Sequence, residues 1–247
     1  MKGTGMRQTV ILAAGNGSRI GSGQHGLPKP LCRVGGRPLI DHALAQAAEV
    51  GCEEAVVVVG CGGDLVREHL EQSDTPFRVT VVYNPRFHDP NGLSLLAAEP
   101  YVRGRFFLQM ADHLFGEPVL RHLADQPGET NPPMRLLVDY NPPHLDEEDA
   151  TKVCVSDGRI LEIGKTVHNW DAVDAGFFLL DERVFEALRE AGPVDQLSVS
   201  AGMRRVAEAG QLASVALNGV GWVDIDTPDD WARAEELVCS LAAGEPA

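Results

Sequence analysis

Three aspartates in this 247-residue chain stand where a metal-assisted reaction would need them. Asp112 follows the run "FFLQMA", just past a strand expected over Phe106–Met110. Ligands in open α/β sheets collect at such carboxyl ends of strands. Asp224 and Asp226, in "WVDIDTPDD", are two apart, so in an extended segment their carboxylates point the same way. Near the start, "ILAAGNGSRIGSGQHGLPKP" (Ile11 to Pro30) sets glycines directly behind a strand and then fixes Lys29 between two prolines. Gly15, Gly17 and Gly21 let the backbone turn several N–H groups toward one cluster of oxygens, and Arg19 and Lys29 add charge to that anion cradle. Lys152 and Lys165 stand at the two ends of "KVCVSDGRILEIGK", two cations in an acidic protein. The chemistry that fits such a set is the handling of phosphate groups with a divalent cation, by positioning and charge neutralisation.

Two familiar phosphate loops do not match. A P-loop needs G-x-x-x-x-G-K-[ST], and no such string occurs. A dinucleotide fingerprint needs G-x-G-x-x-G and an acidic residue closing the second strand. Here Gly15-x-Gly17 is followed by Ile20, and the second strand ends Gly60-Cys61, which disfavours NAD. Composition narrows the partners. With 21 basic and 36 acidic residues the net charge is −15, a field that repels nucleic acid and anionic membranes. A polyanionic small molecule would therefore need local donors, placed cations and a metal. Five cysteines, scattered and without a C-x-x-C pair, suggest neither a zinc site nor a disulfide framework. The apolar run after Lys2 and Arg7 is too short for a signal peptide and no stretch reaches transmembrane length, so a cytoplasmic location is expected.

The elements that must position these residues follow from hydrophobic periodicity. Strands are expected at Thr9–Ala13, in "EEAVVVVG", and at Arg78–Tyr83, Phe106–Met110 and Arg135–Asp139; helices are expected at Pro38–Val50, from Asp64 as a cap to Glu71, and at Leu93–Ala98 and Pro118–Asp125. This β-α-β rhythm implies a doubly wound sheet. After Tyr140 the pattern changes to a hairpin turning at Ser156-Asp157-Gly158, expected as a subdomain inserted beside the sheet. A strand at Ala175–Leu180 and helices at Asp181–Ala191, Val199–Ala209 and Pro228–Leu241 follow, the last opening with Thr227 at N-cap and Pro228 at N1. Residues 1–6 and 242–247 read as loose ends.

"LAAGNGSRI" followed by "PKP" resembles the opening motif of the sugar-nucleotidyltransferase superfamily, L-A-A-G-x-G-[ST]-R-(x)n-K-P. The resemblance implies a Rossmann-like α/β fold with a mostly parallel sheet of nucleotidyltransferase type. It also implies an NTP held by the backbone of Leu12, Ala13, Ala14, Gly15, Asn16, Gly17 and Ser18. Arg19 would contact the triphosphate and Lys29 the α-phosphate. "MADH" and "DIDT" are similar to the superfamily's metal motifs, which implies Mg²⁺ on Asp112 and Asp226, with Asp224 close behind. "HDPNGLSLL" falls where the superfamily places base recognition, implicating Asn91, Gly92 and Ser94, with Gly60 on the nucleotide side.

"ATKVCVSDGRILEIGK" and "VDAGFFLLD" resemble CTP:inositol-1-phosphate cytidylyltransferases. That family implies Lys152 and Lys165 on an acceptor phosphate, Asp174 and Gly176 lining a polyol pocket, and CTP plus a phosphorylated polyol as substrates. It also implies one domain over residues 7–241, with 7–139 mainly NTP-binding and 140–226 mainly acceptor-binding. Two departures stand out: Ala111-Asp112-His113 where the family usually reads Gly-Asp-His, and Pro90 where it often carries a charge. Other phosphorylated acceptors (phosphocholine, a sugar 1-phosphate, a phosphonate), a pterin cofactor as the cytidylyl acceptor, and a non-catalytic nucleotide sensor remain the alternatives.

Overall fold

The computed structural model describes residues 8–15, 17, 26–124, 133–142 and 145–243. Strand β1 (Gln8–Ala13) precedes a 3-10 turn at Lys29–Leu31, a small ribbon of β2 (Arg33–Val34) and β3 (Arg37–Pro38), and helix α1 (Leu39–Glu49). Next come β4 (Glu54–Val59), α2 (Gly63–Gln72), β5 (Arg78–Tyr83), α3 (Gly92–Ala98) and β6 (Arg105–Met110). The chain continues through β7 (His113–Phe115), α4 (Leu120–Leu123), β8 (Met134–Asp139) and the hairpin β9 (Lys152–Ser156) and β10 (Arg159–Gly164). It closes with β11 (Ala172–Asp181), α5 (Arg183–Glu190), α6 (Val199–Glu208), β12 (Leu212–Ala216), β13 (Trp222–Asp224) and α7 (Pro228–Ala243).

A nine-stranded sheet in the order β5-β4-β1-β6-β11-β8-β12-β10-β9 forms the middle layer. Its central strands are apolar on both faces. Val56 and Val58 of β4 join one cluster with Leu95 of α3, Phe185 and Leu188 of α5, and Met203 of α6. Val57 and Val59 join the other, with Ile40 and Leu44 of α1, Val66 and Leu70 of α2, and Leu120 of α4. Burial on both faces explains why four consecutive valines suit this position. α7 covers a smaller cluster built on Val34, Leu39, Leu114 and Ile225.

The sheet is mixed. The parallel arrangement expected from the sequence holds for β5, β4, β1 and β6, and for β8 with β12. β11 runs antiparallel to β6, β8 and β9, and β10 to β9 and β12. The hairpin expected as a subdomain beside the sheet is instead the continuation of the sheet itself, and β9 pairs back onto β11. β12 supplies the strand that carries the sheet out to the hairpin. Its sequence, Leu-Ala-Ser-Val-Ala, is too poor in β-branched and aromatic residues to announce itself. α4 is a single turn rather than Pro118–Asp125, and Asp125 lies outside the described residues. α2 begins behind Gly62 in the left-handed conformation, which places Asp64 in the first turn rather than at the cap.

A bend in β11 joins the two halves of the sheet. The register shifts between Asp174 and Phe178, with Gly176 at φ +78°. Before the bend the strand pairs with β9, and after it with β6. A bulge of this kind re-aims one strand toward two sets of neighbours. Phe178, just past the bend, is wholly buried. Phe178→Ala should therefore lower the unfolding free energy by about 3–5 kcal/mol in urea titrations, because the cavity lies where the sheet cannot collapse onto it.

Candidate active site

Lys29 shows why a lysine sits between two prolines. Pro28 holds the extended entry to the 3-10 turn, and Pro30 lies inside it. The turn is closed by Leu31 N–H to Pro28 O (2.8 Å) and Cys32 N–H to Lys29 O (3.0 Å). On that stiff base the lysine side chain is 8% exposed and donates from Nζ to Asp112 Oδ2 (2.6 Å) and Asp226 Oδ1 (2.9 Å). Gly17, at φ +58°, passes so close that a Cβ there would lie 2.9 Å from Lys29 Cβ. Gly17 and the lysine therefore pack directly against each other.

The strand ends converge here. Ala111 N–H donates to Leu12 O (3.1 Å), Cys61 N–H to Ala14 O (3.4 Å) and Ile225 N–H to Asp112 O (3.1 Å). A side chain on Gly60 would strike Phe87 and come within 2.7 Å of Ala14 O, so that glycine is required by a close approach. Leu12, Ala13 and Ala14 bury their side chains in the core, leaving backbone alone for a ligand, while Gly15 is exposed. Asn16, Ser18 and Arg19 lie outside the described residues.

Asp224 ends β13 and Asp226 follows two residues on, with Ile225 buried between them, and the two carboxylates are near enough for the charge of Asp226 to act on Asp224. Asp226 reaches Lys29; Asp224 Oδ1 lies 3.6 Å from His113 Nδ1. The same nitrogen is 3.1 Å from Asp112 Oδ1. Asp174 completes the group. Its Oδ1 accepts from Gly176 N–H at 2.7 Å, and a Cβ on Gly176 would sit 2.3 Å from His113 Cδ2. The side-chain space at Gly176 thus belongs to His113, and the glycine offers a substrate only backbone.

The charges are strongly coupled. Burial works against the charge on Lys29, but Asp112 and Asp226 overcome it and hold the ammonium above its ordinary range. Burial also opposes the Asp112 charge, yet Lys29 and His113 hold this carboxyl well below the usual carboxylate range. Asp174 is raised to about 6 by burial and, more weakly, by Asp224. Asp224 is raised to about 6 by burial and by its neighbours Asp112 and Asp226. Burial opposes the His113 charge, but Asp224 and Asp112 push the imidazole up to about 9. Four carboxylates against one ammonium and one imidazolium leave an excess of two negative charges. A divalent cation relieves that excess, and the carboxylate oxygens present are the donors a hard cation takes. Asp112, His113 and Asp224 have ligand atoms within 4.8 Å of one another.

Of the residues expected on an acceptor phosphate, Lys152 stands next to the strand that carries Asp174. Lys152 lies beside Val173 of β11, and Asp174 N–H donates to Thr151 O (2.9 Å). Lys152 Nζ donates to Glu147 O and to Lys165 O (3.1 Å), while Lys165 pairs with Asp149. The residues expected to border a base are engaged elsewhere. Asn91 Oδ1 accepts from Val199 N–H at the start of α6 (2.9 Å), and Ser94 Oγ accepts from Asn84 (2.9 Å). A Cβ on Gly92 would be 2.2 Å from Leu197 O. These three residues are seen tying α3 to its surroundings and are not gathered to the carboxylates.

Two supporting residues escaped the sequence reading. Asp230 Oδ2 accepts from the N–H groups of Asp226 (3.1 Å) and Thr227 (2.7 Å) and from Thr227 Oγ1 (2.7 Å), while Thr227 Oγ1 accepts from Asp230 N–H. Asp230 thereby fixes both the helix start and the backbone of Asp226. The Thr-x-x-Asp spacing is the signal that would have found it. Asp139 accepts from Trp222 Nε1–H (2.8 Å), and its partner is not encoded by any local spacing.

The ion pairs set a pH dependence. The depressed Asp112 contributes stability that is present above the unfolded value near 3.9 and is lost as pH falls below it. The raised Lys29 contributes stability that is present below about 10.4 and is lost only as pH rises beyond it. Lys29→Met should remove the acid-side loss or reverse its sign, because protonating Asp112 would then relieve repulsion from Asp226. Chemical denaturation between pH 3 and 7 checks this; an unchanged acid limb would contradict it.

The MobA-like NTP transferase domain matches residues 9–141. Over 236 residues, 95% of this chain and 52% of the relative, the sequence is 37% identical to the bifunctional IPC transferase and DIPP synthase of Rubrobacter xylanophilus. A protein of the same description from Archaeoglobus fulgidus is 32% identical over 237 residues, 96% of this chain and 45% of the relative. The chain spans about half the length of these relatives. Among solved structures, the inositol-1-phosphate CTP transferase from T. maritima is similar at TM-score 0.84 and 28% identity, covering 98% of this chain and 99% of that one. Among the described residues no helix is long and apolar enough to cross a membrane. With residues 9–141 of 247 matched, the chain belongs to the family of MobA-like NTP transferase domains.

Proposed function

We propose that this chain transfers CMP from CTP to the phosphate of inositol 1-phosphate, giving CDP-inositol and pyrophosphate, with Mg²⁺ as cofactor. The observation that carries the reading is the packing of His113 on Gly176. It joins the carboxylates behind β6 and β13 to the strand flanked by Lys152, so nucleotide side and acceptor side share one wall. The activity named for the T. maritima neighbour supports the same substrates.

In this reading the glycine-loop backbone and Arg19 hold the triphosphate. Lys29 exchanges its carboxylate partners for the α-phosphate, and Gly60, Asn91, Gly92 and Ser94 border the base. Asp112 and Asp226, with Asp224 beside them, would hold Mg²⁺, whose charge would stabilise the phosphate oxygens and the departing pyrophosphate. Lys152 and Lys165 hold the acceptor phosphate on the β9–β10 hairpin, and Asp174 accepts from polyol hydroxyls. The acceptor's own phosphate is the nucleophile. Its second pKa near 6 leaves it mostly dianionic at pH 7, so no general base is required. The site must hold two polyanions together inside a protein of net charge −15, and Arg19, Lys29, Lys152 and Lys165 are the cations that would offset them.

Pyrophosphate release tests this with the four NTPs crossed against inositol 1-phosphate, phosphocholine and glucose 1-phosphate. Release with CTP and inositol 1-phosphate alone is expected; release with another pair would reassign the base or acceptor pocket, and none with any pair would overturn the activity. Asp112→Asn should abolish turnover without unfolding the chain. Lys165→Ala should raise the KM for the acceptor and leave that for CTP unchanged; an equal rise in both would remove Lys165 from the acceptor site.

A further inference from the structure

His113 has no part in the proposed chemistry, yet three strand ends are built around it. Its Nδ1 lies 3.1 Å from Asp112 Oδ1 and 3.6 Å from Asp224 Oδ1. One face of the ring stacks on Trp222 with centroids 5.7 Å apart and planes 21° off parallel. Trp222 is itself fixed, by the bond from its indole N–H to Asp139 and by stacking on Phe115. The Cδ2–Nε2 edge rests against Gly176, where a Cβ would approach to 2.3 Å and 2.5 Å of those two atoms. The imidazole is therefore a wedge with no room to turn.

We infer that His113 is a positioning residue: it sets the spacing of Asp112 and Asp224 for the divalent cation without ligating it. The inference rests on the metal reading above. An ionised carboxylate only accepts hydrogen bonds, so the nitrogen facing Asp112 is a donor N–H. A nitrogen that directs N–H at these carboxylates cannot offer a lone pair at the same place. It bonds Asp112 Oδ1 and stands in charge contact with Asp224 Oδ1, while Asp112 Oδ2, bonded to Lys29 in this structure, becomes the cation's when Lys29 turns to the phosphate. Outer partners of this kind hold metal-binding side chains in the geometry the metal needs, and removing one typically weakens affinity about 10-fold to 100-fold. Gly176 then acts at one remove: it touches neither carboxylate, but its missing side chain admits the ring that does.

Mn²⁺ affinity measured by electron paramagnetic resonance and calorimetry, with the metal alone and then with CTP, separates the possibilities. His113→Asn keeps an N–H donor near the Nδ1 position and should retain most of the affinity. His113→Gln carries its amide out toward Nε2 and should lose about 10-fold to 100-fold. Gly176→Ala should lose affinity in the same direction, with thermal midpoints showing that each variant is folded. Equal affinity in His113→Gln and the unaltered protein would overturn the inference, and so would a nitrogen coordinated to Mn²⁺ in spin-echo spectra, which would make His113 a ligand. Full affinity in Asp112→Asn, or no Mn²⁺ binding by the unaltered protein, would instead overturn the metal site and this inference with it.

Discussion

A buried lysine shared by two carboxylates is the contact on which the rest of the site depends. Lys29 is held by a stiff turn, Asp112 by the end of β6 and Asp226 by the entry to α7, so two charge-assisted bonds fasten three distant segments at one point. On an open surface such pairs are worth little, but here the ammonium is nearly enclosed, and only the carboxylate side of each bond meets solvent. The arrangement also solves an electrostatic problem. A chain of net charge −15 that gathers Asp112, Asp174, Asp224 and Asp226 in one place needs an internal cation simply to hold them there. The same cation is the group an incoming phosphate would seek, so the resting state and the liganded state draw on one charge.

The scaffold meets this demand with one unusual strand. β11 is long enough to bend, and the bend divides its work between the hairpin that carries Lys152 and the central strand that ends near Asp112. A straight strand of the same length would have paired with a single neighbour on each side and left the two walls apart. β7 and β13, three residues each, complete the arrangement by setting His113 opposite Asp224 in an antiparallel pair.

Much of this was legible in the sequence because the signals were local. The valines of β4 declare a strand buried on both faces, and Thr227-Pro228 declares a helix start. Lys29 and the strand-end aspartates, read from residue type and spacing as one site, do meet at one point. The features that were not legible depended on partners remote in sequence. β12 is a strand only because β8 and the hairpin offer it edges. The hairpin looked self-contained because nothing in its residues records that β9 pairs again with β11. The setting of His113 is not written near it in the sequence, because its neighbours Gly176 and Trp222 lie far along the chain. Asn91 and Ser94 lie in the segment expected to recognise a base, yet their side chains are bonded to Val199 and Asn84, contacts that spacing alone does not disclose.

The reach of the Lys29–Asp226 pair has a bearing on how the protein comes into being. The two residues are separated by 197 positions. At about 5–20 residues per second, a ribosome takes roughly 10–40 s to pass from one to the other. Throughout that interval the lysine and its glycine loop exist without their final counter-charge, while the strands that flank them have already been made. The early strands and helices have local partners and can begin to associate as they emerge. The Lys29–Asp226 contact has to wait for the segment that leads into α7, so the last two carboxylates of the pocket join it after the strands of the sheet have been made.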